Sequence, residues 1–236
     1  MEIINGIEIL DTCLLIKKKV LVLADLHIGY EEALNKQGMF IPRSQFKETE
    51  QKLNDLFRKI KGTETIVING DLKHEFGTIS NQEWDETLKI FDLLQKHCRN
   101  IVLVKGNHDT ILGPIARKGG FSLVDSYRIN DVCILHGDKI LDNLNASSAK
   151  ILIIGHEHPA VSIREEPKVE KYKCFLLGKW KKQQIIVMPS FLPIIEGTDV
   201  KKEKLLSPYL HQNLDNFEVF VVGDKTYRFG KLKSIK

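Results

Sequence analysis

Five apolar segments run directly into residues that can hold a cation or move a proton. VLVLAD leads into Asp25-Leu26-His27-Ile28-Gly29, TIVING into Gly70-Asp71-Leu72-Lys73-His74, IVLVKG into Gly106-Asn107-His108-Asp109, VCIL into His136-Gly137-Asp138, and ILII into Gly155-His156-Glu157-His158-Pro159. Of the eight histidines, only His97 and His211 lie outside these stretches. Each stretch alone has a plain reading, since Asp and Asn cap helices or make turns and a lone histidine is usually a satisfied polar residue. Together they differ, because capping gives no reason for histidine to accompany Asp, Asn and Gly at one strand end after another. Carboxylates, an amide and imidazoles without thiolate suit borderline divalent ions better than calcium or magnesium. Manganese is the first expectation, with iron, cobalt and zinc open. Seven candidate ligands exceed the needs of one tetrahedral ion. They match a two-ion site, with ions about 3.5–4 Å apart, that activates a hydroxide.

The spacing excludes several rivals. His156-Glu157-His158 is not H-E-x-x-H, so the paired-histidine helix of a zinc protease is missing. The sequence contains no G-x-x-x-x-G-K-[ST], G-x-G-x-x-G or G-x-S-x-G, the anchoring loops of P-loop NTPases, dinucleotide-binding dehydrogenases and α/β serine hydrolases. The four cysteines, Cys13, Cys98, Cys133 and Cys174, form no C-x-x-C pair and read as small apolar residues of a reducing compartment.

These chemical residues must be positioned by the elements around them. Short Ile- and Val-rich runs recur: ILDTCLLI, VLVLAD, TIVING, IVLVKG, VCILHG, ILIIGH, QIIVMPS and FEVFVV. Between them lie helix patterns. Residues 80–96 open on the capping box Ser80-x-x-Glu83 and place Trp84, Leu88, Phe91 and Leu94 on one face. Residues 44–60 do the same with Phe46, Leu53, Leu56, Phe57 and Ile60. This alternation predicts an α/β architecture. Functional groups in such sheets gather beyond the carboxyl ends of strands, so the five ends are expected to share one crevice. After residue 160 the helical pattern fades, GDK at 223–225 reads as a hairpin turn and EEPKVEK at 165–171 as an exposed one.

With 236 residues, 42% hydrophobic and 28% charged, one domain spanning 1–236 is expected. The apolar run 13–24 is interrupted by Lys17, Lys18 and Lys19, so no membrane span is predicted. MEIINGIEIL has neither a basic start nor a cleavage site, which makes the cytoplasm the expected location. Residues 164–236 hold 15 Lys and Arg against 9 Asp and Glu, a net +6, leaving the rest at −2. A basic face of this kind is either a solvated surface or a contact for nucleic acid.

The ordered series D-x-H, G-D, G-N-H-D, H-G-D, G-H-x-H resembles the calcineurin-like metallophosphoesterase superfamily over Asp25 to Pro159. The resemblance implies a four-layer α-β-β-α sandwich with two metals at one end of its central sheets. It assigns Asp25, His27 and His158 to one ion, Asn107, His136 and His156 to the other, and Asp71 to both. His108 takes the place of a catalytic histidine that binds no metal, with Asp109 orienting it. His74 is expected to contact substrate phosphate or a metal ligand, and Asp138 to orient His136. Asp25-Leu26-His27, His74 and Met188-Pro189-Ser190-Phe191-Leu192-Pro193 are similar to small archaeal and bacterial phosphoesterases related to double-strand-break repair nucleases and DNA-ligase-associated enzymes. Gly70-Asp71-Leu72-Lys73-His74 departs from the G-D-x-x-D-R-G of protein serine/threonine phosphatases. The function implied is a phosphodiesterase or nuclease-like hydrolase acting on a phosphoester substrate, nucleic acid or nucleotide. The alternatives are a nucleotide or small-molecule phosphohydrolase and a non-catalytic scaffold that has lost its ligands. Oligomeric state stays open.

Overall fold

A computed structural model of the protein describes residues 1–39, 41–42, 44–77, 79–109 and 111–235, the side chain of Glu165 apart. The first sheet holds β1 (Glu2–Ile4), β2 (Ile7–Leu10), β3 (Cys13–Ile16), β4 (Val20–Ala24), β5 (Thr65–Asn69), β6 (Asn100–Val104) and β7 (Ser122–Val124), in chain order. β1 to β4 pair antiparallel, whereas β4 to β7 are parallel. Parallel neighbours need crossovers. These are supplied by α1 (Tyr30–Lys36) and α2 (Gln45–Lys59), then α3 (Asn81–His97), then α4 (Leu112–Gly119).

The second sheet contains β8 (Ser126–Ile129), β9 (Val132–Leu135), β10 (Ile151–Ile154), β11 (Pro159–Glu165), β12 (Lys168–Trp180), β13 (Gln183–Val187) and β14 (Thr198–Asp199), with the one-turn α5 (Leu144–Ser147) between β9 and β10. Its order is β14-β11-β12-β13-β10-β9-β8, and β15 (Glu218–Val222) joins β12 while β16 (Thr226–Lys231) joins β15. β9, β10 and β13 are parallel.

Register decides where the functional residues emerge. Ala24 pairs with Asn69 and Asn69 with Val104, while Leu135 pairs with Ile154 and Ile154 with Val187. The carboxyl ends of three strands in each sheet are therefore level.

Alternate side chains of the buried strands feed different cores. Val22, Val67 and Val102 meet Ile134, Ile153, Phe175 and Ile186 between the sheets. Leu21, Leu23, Ile66 and Ile68 face outward onto Leu53, Leu56, Ile90, Phe91 and Ile115 of the helices. On the far face, Leu135, Leu152, Ile154 and Leu176 are covered by Ala146, Tyr209, Leu210, Phe217 and Leu232. The layers are thus helices, sheet, sheet and a thin cover made of α5, irregular chain and 3-10 turns at Pro208–Leu210 and Leu232–Ser234. Strands enclosed on both faces explain the continuous apolar runs in the sequence.

Two details depart from the sequence pattern. ILDTCLLI is not one strand but the hairpin β2–β3, turned at Asp11, whose φ is 55°. The short α1 and α4 carry too few turns to show a repeating apolar face. All four cysteines are free and buried. No helix among the described residues is long and apolar enough to cross a membrane.

Candidate functional site

The exits of β4, β5 and β10 leave the extended conformation through left-handed residues. Asp25, His27, Asp71, His156 and His158 all have positive φ, between 41° and 65°. This left-handed region is disfavoured for side chains with a Cβ and costs about 1–3 kcal/mol per residue. Left-handed turns redirect the side chains from the sheet faces into the shared crevice. His156 and His158 illustrate the effect: in a regular strand they would point the same way, but both bend the chain in this turn. His156 Nδ1 faces His136 Nε2 at 3.2 Å, and His158 Nε2 faces His27 Nε2 at 3.3 Å.

Close backbone approach is required at Gly70 and Gly106. A Cβ on Gly70 would lie 1.9 Å from His136 Nδ1, and one on Gly106 would lie 2.1 Å from Asp71 Oδ1. Only a residue without a side chain leaves space for these donors.

Two ligand-type triads combine carboxylate and imidazole, Asp25 with His27 and His158 and Asp71 with His136 and His156; an all-imidazole group of His27, His74 and His108 adjoins the first, and the donor atoms of each set lie within 4.8 Å of one another. Asp71 Oδ2 lies between the triads, 3.8 Å from His27 Nε2 and 3.3 Å from His136 Nε2. Asn107 Oδ1 lies 2.9 Å from the same His136 nitrogen. One imidazole nitrogen, with one proton at most, cannot satisfy Asp71, Asn107 and His156 together, whereas a cation among them would engage all four groups. The donor set therefore fits divalent ions. Asp25 is fixed from behind by the His156 amide, at 3.1 Å from Oδ2.

The electrostatics are those of a crowded buried cluster. Burial alone would raise the Asp71 carboxyl, but hydrogen bonding and charge from His136 prevail and hold it well below the usual range. Burial opposes protonation of His136 too, and Asp71 and Asp25 overcome it, raising that imidazole to about 9. His27 and His156 are lowered, by burial first and then by His158 and His136 respectively.

The surrounding residues are arranged differently from expectation in three places. His108 Nδ1 donates to the His74 carbonyl rather than to Asp109. Asp109 is fully buried and accepts instead from the Leu72 amide at 3.1 Å and the Gly106 amide at 3.0 Å, binding two exit loops together. Burial, then the Asp71 charge, pushes its carboxyl up to about 7. The carboxylate facing His136 Nδ1 is Asp25, at 3.5 Å, not Asp138. The capping box is also only half closed. Ser80 Oγ accepts from the Glu83 amide at 3.0 Å, but the Glu83 carboxylate accepts from the His74 and Glu75 amides at 2.8 and 3.0 Å. A helix-start motif thus holds a site loop. His74 Nδ1 comes within 3.4 Å of His27 Nδ1, and burial followed by the His108 charge lowers its imidazole to about 4.

The segment Met188-Pro189-Ser190-Phe191-Leu192-Pro193 supplies a further support beneath Asp25. Ser190 Oγ donates to the Asp25 carbonyl at 2.7 Å, and the Phe191 amide donates to Ala24 O at 2.7 Å. Lys173 donates to the Ser190 carbonyl at 2.9 Å and to that of Leu192, while Lys52 donates to Phe191 O at 3.2 Å. Lys173 lies in a strand and Lys52 on a helix, so neither spacing indicates that they meet at one loop.

No curated protein matches the sequence. Among solved structures, the nuclease MPE of Pseudomonas putida is similar in fold, with a TM-score of 0.65 and 17% identity over 93% of this chain and 92% of that one. Vps29 of Entamoeba histolytica in complex with zinc aligns with a TM-score of 0.35 and 14% identity, over 89% of this chain and 98% of its own. A phosphoesterase-like protein of Streptococcus pneumoniae aligns with a TM-score of 0.34 and 14% identity, over 90% and 97% of the two chains. The family model described as calcineurin-like phosphoesterase matches residues 18–213, which include all five strand exits and both triads. The chain belongs to the calcineurin-like phosphoesterase family.

Proposed function

We propose that the protein is a metal-dependent phosphodiesterase of nuclease type. The observation that carries this reading is the pair of carboxylate-bearing triads with Asp71 Oδ2 facing imidazoles of both, and His108 beside them with its Nδ1 taken by the His74 carbonyl. Asp25, His27 and His158 would hold one divalent ion, Asn107, His136 and His156 a second, and Asp71 both. When bound, two such ions supply a water acidified to near-neutral pKa and positive charge to offset the phosphoryl oxygens.

The remaining steps belong to the chain's own residues. Donation of the His108 Nδ1 proton to His74 O fixes the ring and leaves Nε2 facing the site, 3.9 Å from Asp71 Oδ2. Protonated at both nitrogens, His108 gives its Nε2 proton to the leaving oxygen. His74, kept neutral at working pH by its lowered pKa, offers phosphate a hydrogen bond rather than a charge. The fold shared with a nuclease is in keeping with a diester substrate.

The test is hydrolysis of bis(p-nitrophenyl) phosphate, compared with the monoester, by stripped protein resupplied with manganese. The diester should be the better substrate. His108→Ala should lose about 100-fold or more in turnover with unchanged metal content, the range for a positioned proton donor. Full activity in excess chelator, or loss of metal from His108→Ala, would refute the reading, and faster monoester hydrolysis would point to a small-molecule phosphohydrolase.

A further inference from the structure

Phe76 stands apart from the other exposed apolar residues. Its side chain is 59% exposed, yet its ring centroid lies 3.6 Å from that of His108 at a tilt of 34°. A singly exposed Phe needs no explanation. What calls for one is the effort spent on holding it. The Glu83 carboxylate, completely buried, takes the His74 and Glu75 amides, and the Lys73 ammonium donates to the Glu75 carbonyl. His108 Nδ1 holds the His74 carbonyl, and Ile28 bridges to Lys73. Each residue from 73 to 75 is thus tied down, and the next presents a large aromatic ring to solvent at the catalytic histidine.

We propose that Phe76 is a stacking platform for an unpaired nucleobase on the leaving side of the scissile phosphate, an inference that rests on the phosphodiesterase reading above. His108 Nε2 is the group placed to protonate the leaving oxygen, so the nucleoside carrying that oxygen must lie next to His108. Phe76 flanks that position. Every base has a π-face, which makes stacking on such a ring tolerant of sequence. A base in a duplex already has both faces occupied and must be extracted from its stack at a cost of a few kcal/mol before it can reach the ring. The site would therefore select unpaired nucleotides through Phe76 without reading base edges.

The experiment uses a short single-stranded oligothymidylate with one phosphodiester among methylphosphonate linkages. Two analogues replace the nucleoside on one or the other side of that diester with a base-free tetrahydrofuran unit. kcat/KM is measured with manganese for the wild type, Phe76→Ala and Phe76→Trp. Phe76→Ala should lose about tenfold or more on the base-bearing strand but less than about twofold on the analogue lacking the leaving-side base, with Phe76→Trp close to wild type. Equal losses on both substrates would mean that the ring only steadies His108, and no loss on either would mean that it does nothing here; both overturn the inference while leaving the phosphodiesterase reading intact. A wild-type protein inert towards all three strands and towards bis(p-nitrophenyl) phosphate would overturn both.

Discussion

The loops that carry the candidate ligands bear a backbone cost at single residues. Asp25, His27, Asp71, His156 and His158 occupy left-handed backbone, at about 1–3 kcal/mol each, against a whole-domain stability of about 5–15 kcal/mol. The other left-handed residues with side chains, Asp11, Lys17, Lys18, Asn130 and Lys181, lie in turns between successive strands, where such geometry is routine. Gly106 shows how little room is left. Its Cβ would meet Asp71 Oδ1 at 2.1 Å and the Asp71 amide nitrogen at 2.3 Å, so Gly106→Ala should weaken manganese binding by about 10- to 100-fold, the range for disturbing the support of a metal ligand. Calorimetric titration checks this, and unchanged affinity would mean that the loop yields without moving Asp71. The residue types around the crevice were legible because each follows an apolar strand directly. The destinations of Glu83 and Asp109 were not, since a carboxylate that caps a helix and one that holds a distant loop look alike in sequence.

Among the elements, β12, α2 and the turn after β13 cooperate to support the exit of β4. Lys173, in β12, is lowered to about 7, by burial first and by the Lys52 charge next, with Asp11 and Asp25 opposing. A lysine with folded pKa near 7 and an ordinary value of 10.5 carries its full desolvation cost below pH 7. Between those values the unfolded chain binds more protons than the folded one, so stability rises with pH and the cost is gone above 10.5. Wild type should accordingly gain stability relative to Lys173→Met as pH rises from 7 towards 10.5, read from urea midpoints across that range. Parallel curves would show that Lys173 keeps its charge on the Ser190 and Leu192 carbonyls throughout. The strands and long helices were evident from apolar periodicity alone. The meeting of Lys52, Lys173 and Ser190 was not, because it depends on crossovers that bring Lys52 to residues more than a hundred positions away.

At the scale of the molecule, two sheets with level carboxyl ends place five loops at one edge, with apolar layers packed behind them. The sandwich could be anticipated from alternating elements and from the family resemblance. The thin outer cover of the second sheet could not, since irregular chain and 3-10 turns leave no periodic trace. The excess positive charge of residues 164–236 is spread over β12, β16 and the loops between them, a distribution that makes it a general surface property. In the proposed reading, the level strand ends build two adjoining ion sites, with His156 and His158 serving different ions. Equilibrium binding of manganese to the stripped protein tests it most directly. Wild type should bind two ions per chain, and His156→Ala and His158→Ala should each weaken one site while sparing the other; a single ion per chain, or the same site lost in both variants, would contradict it.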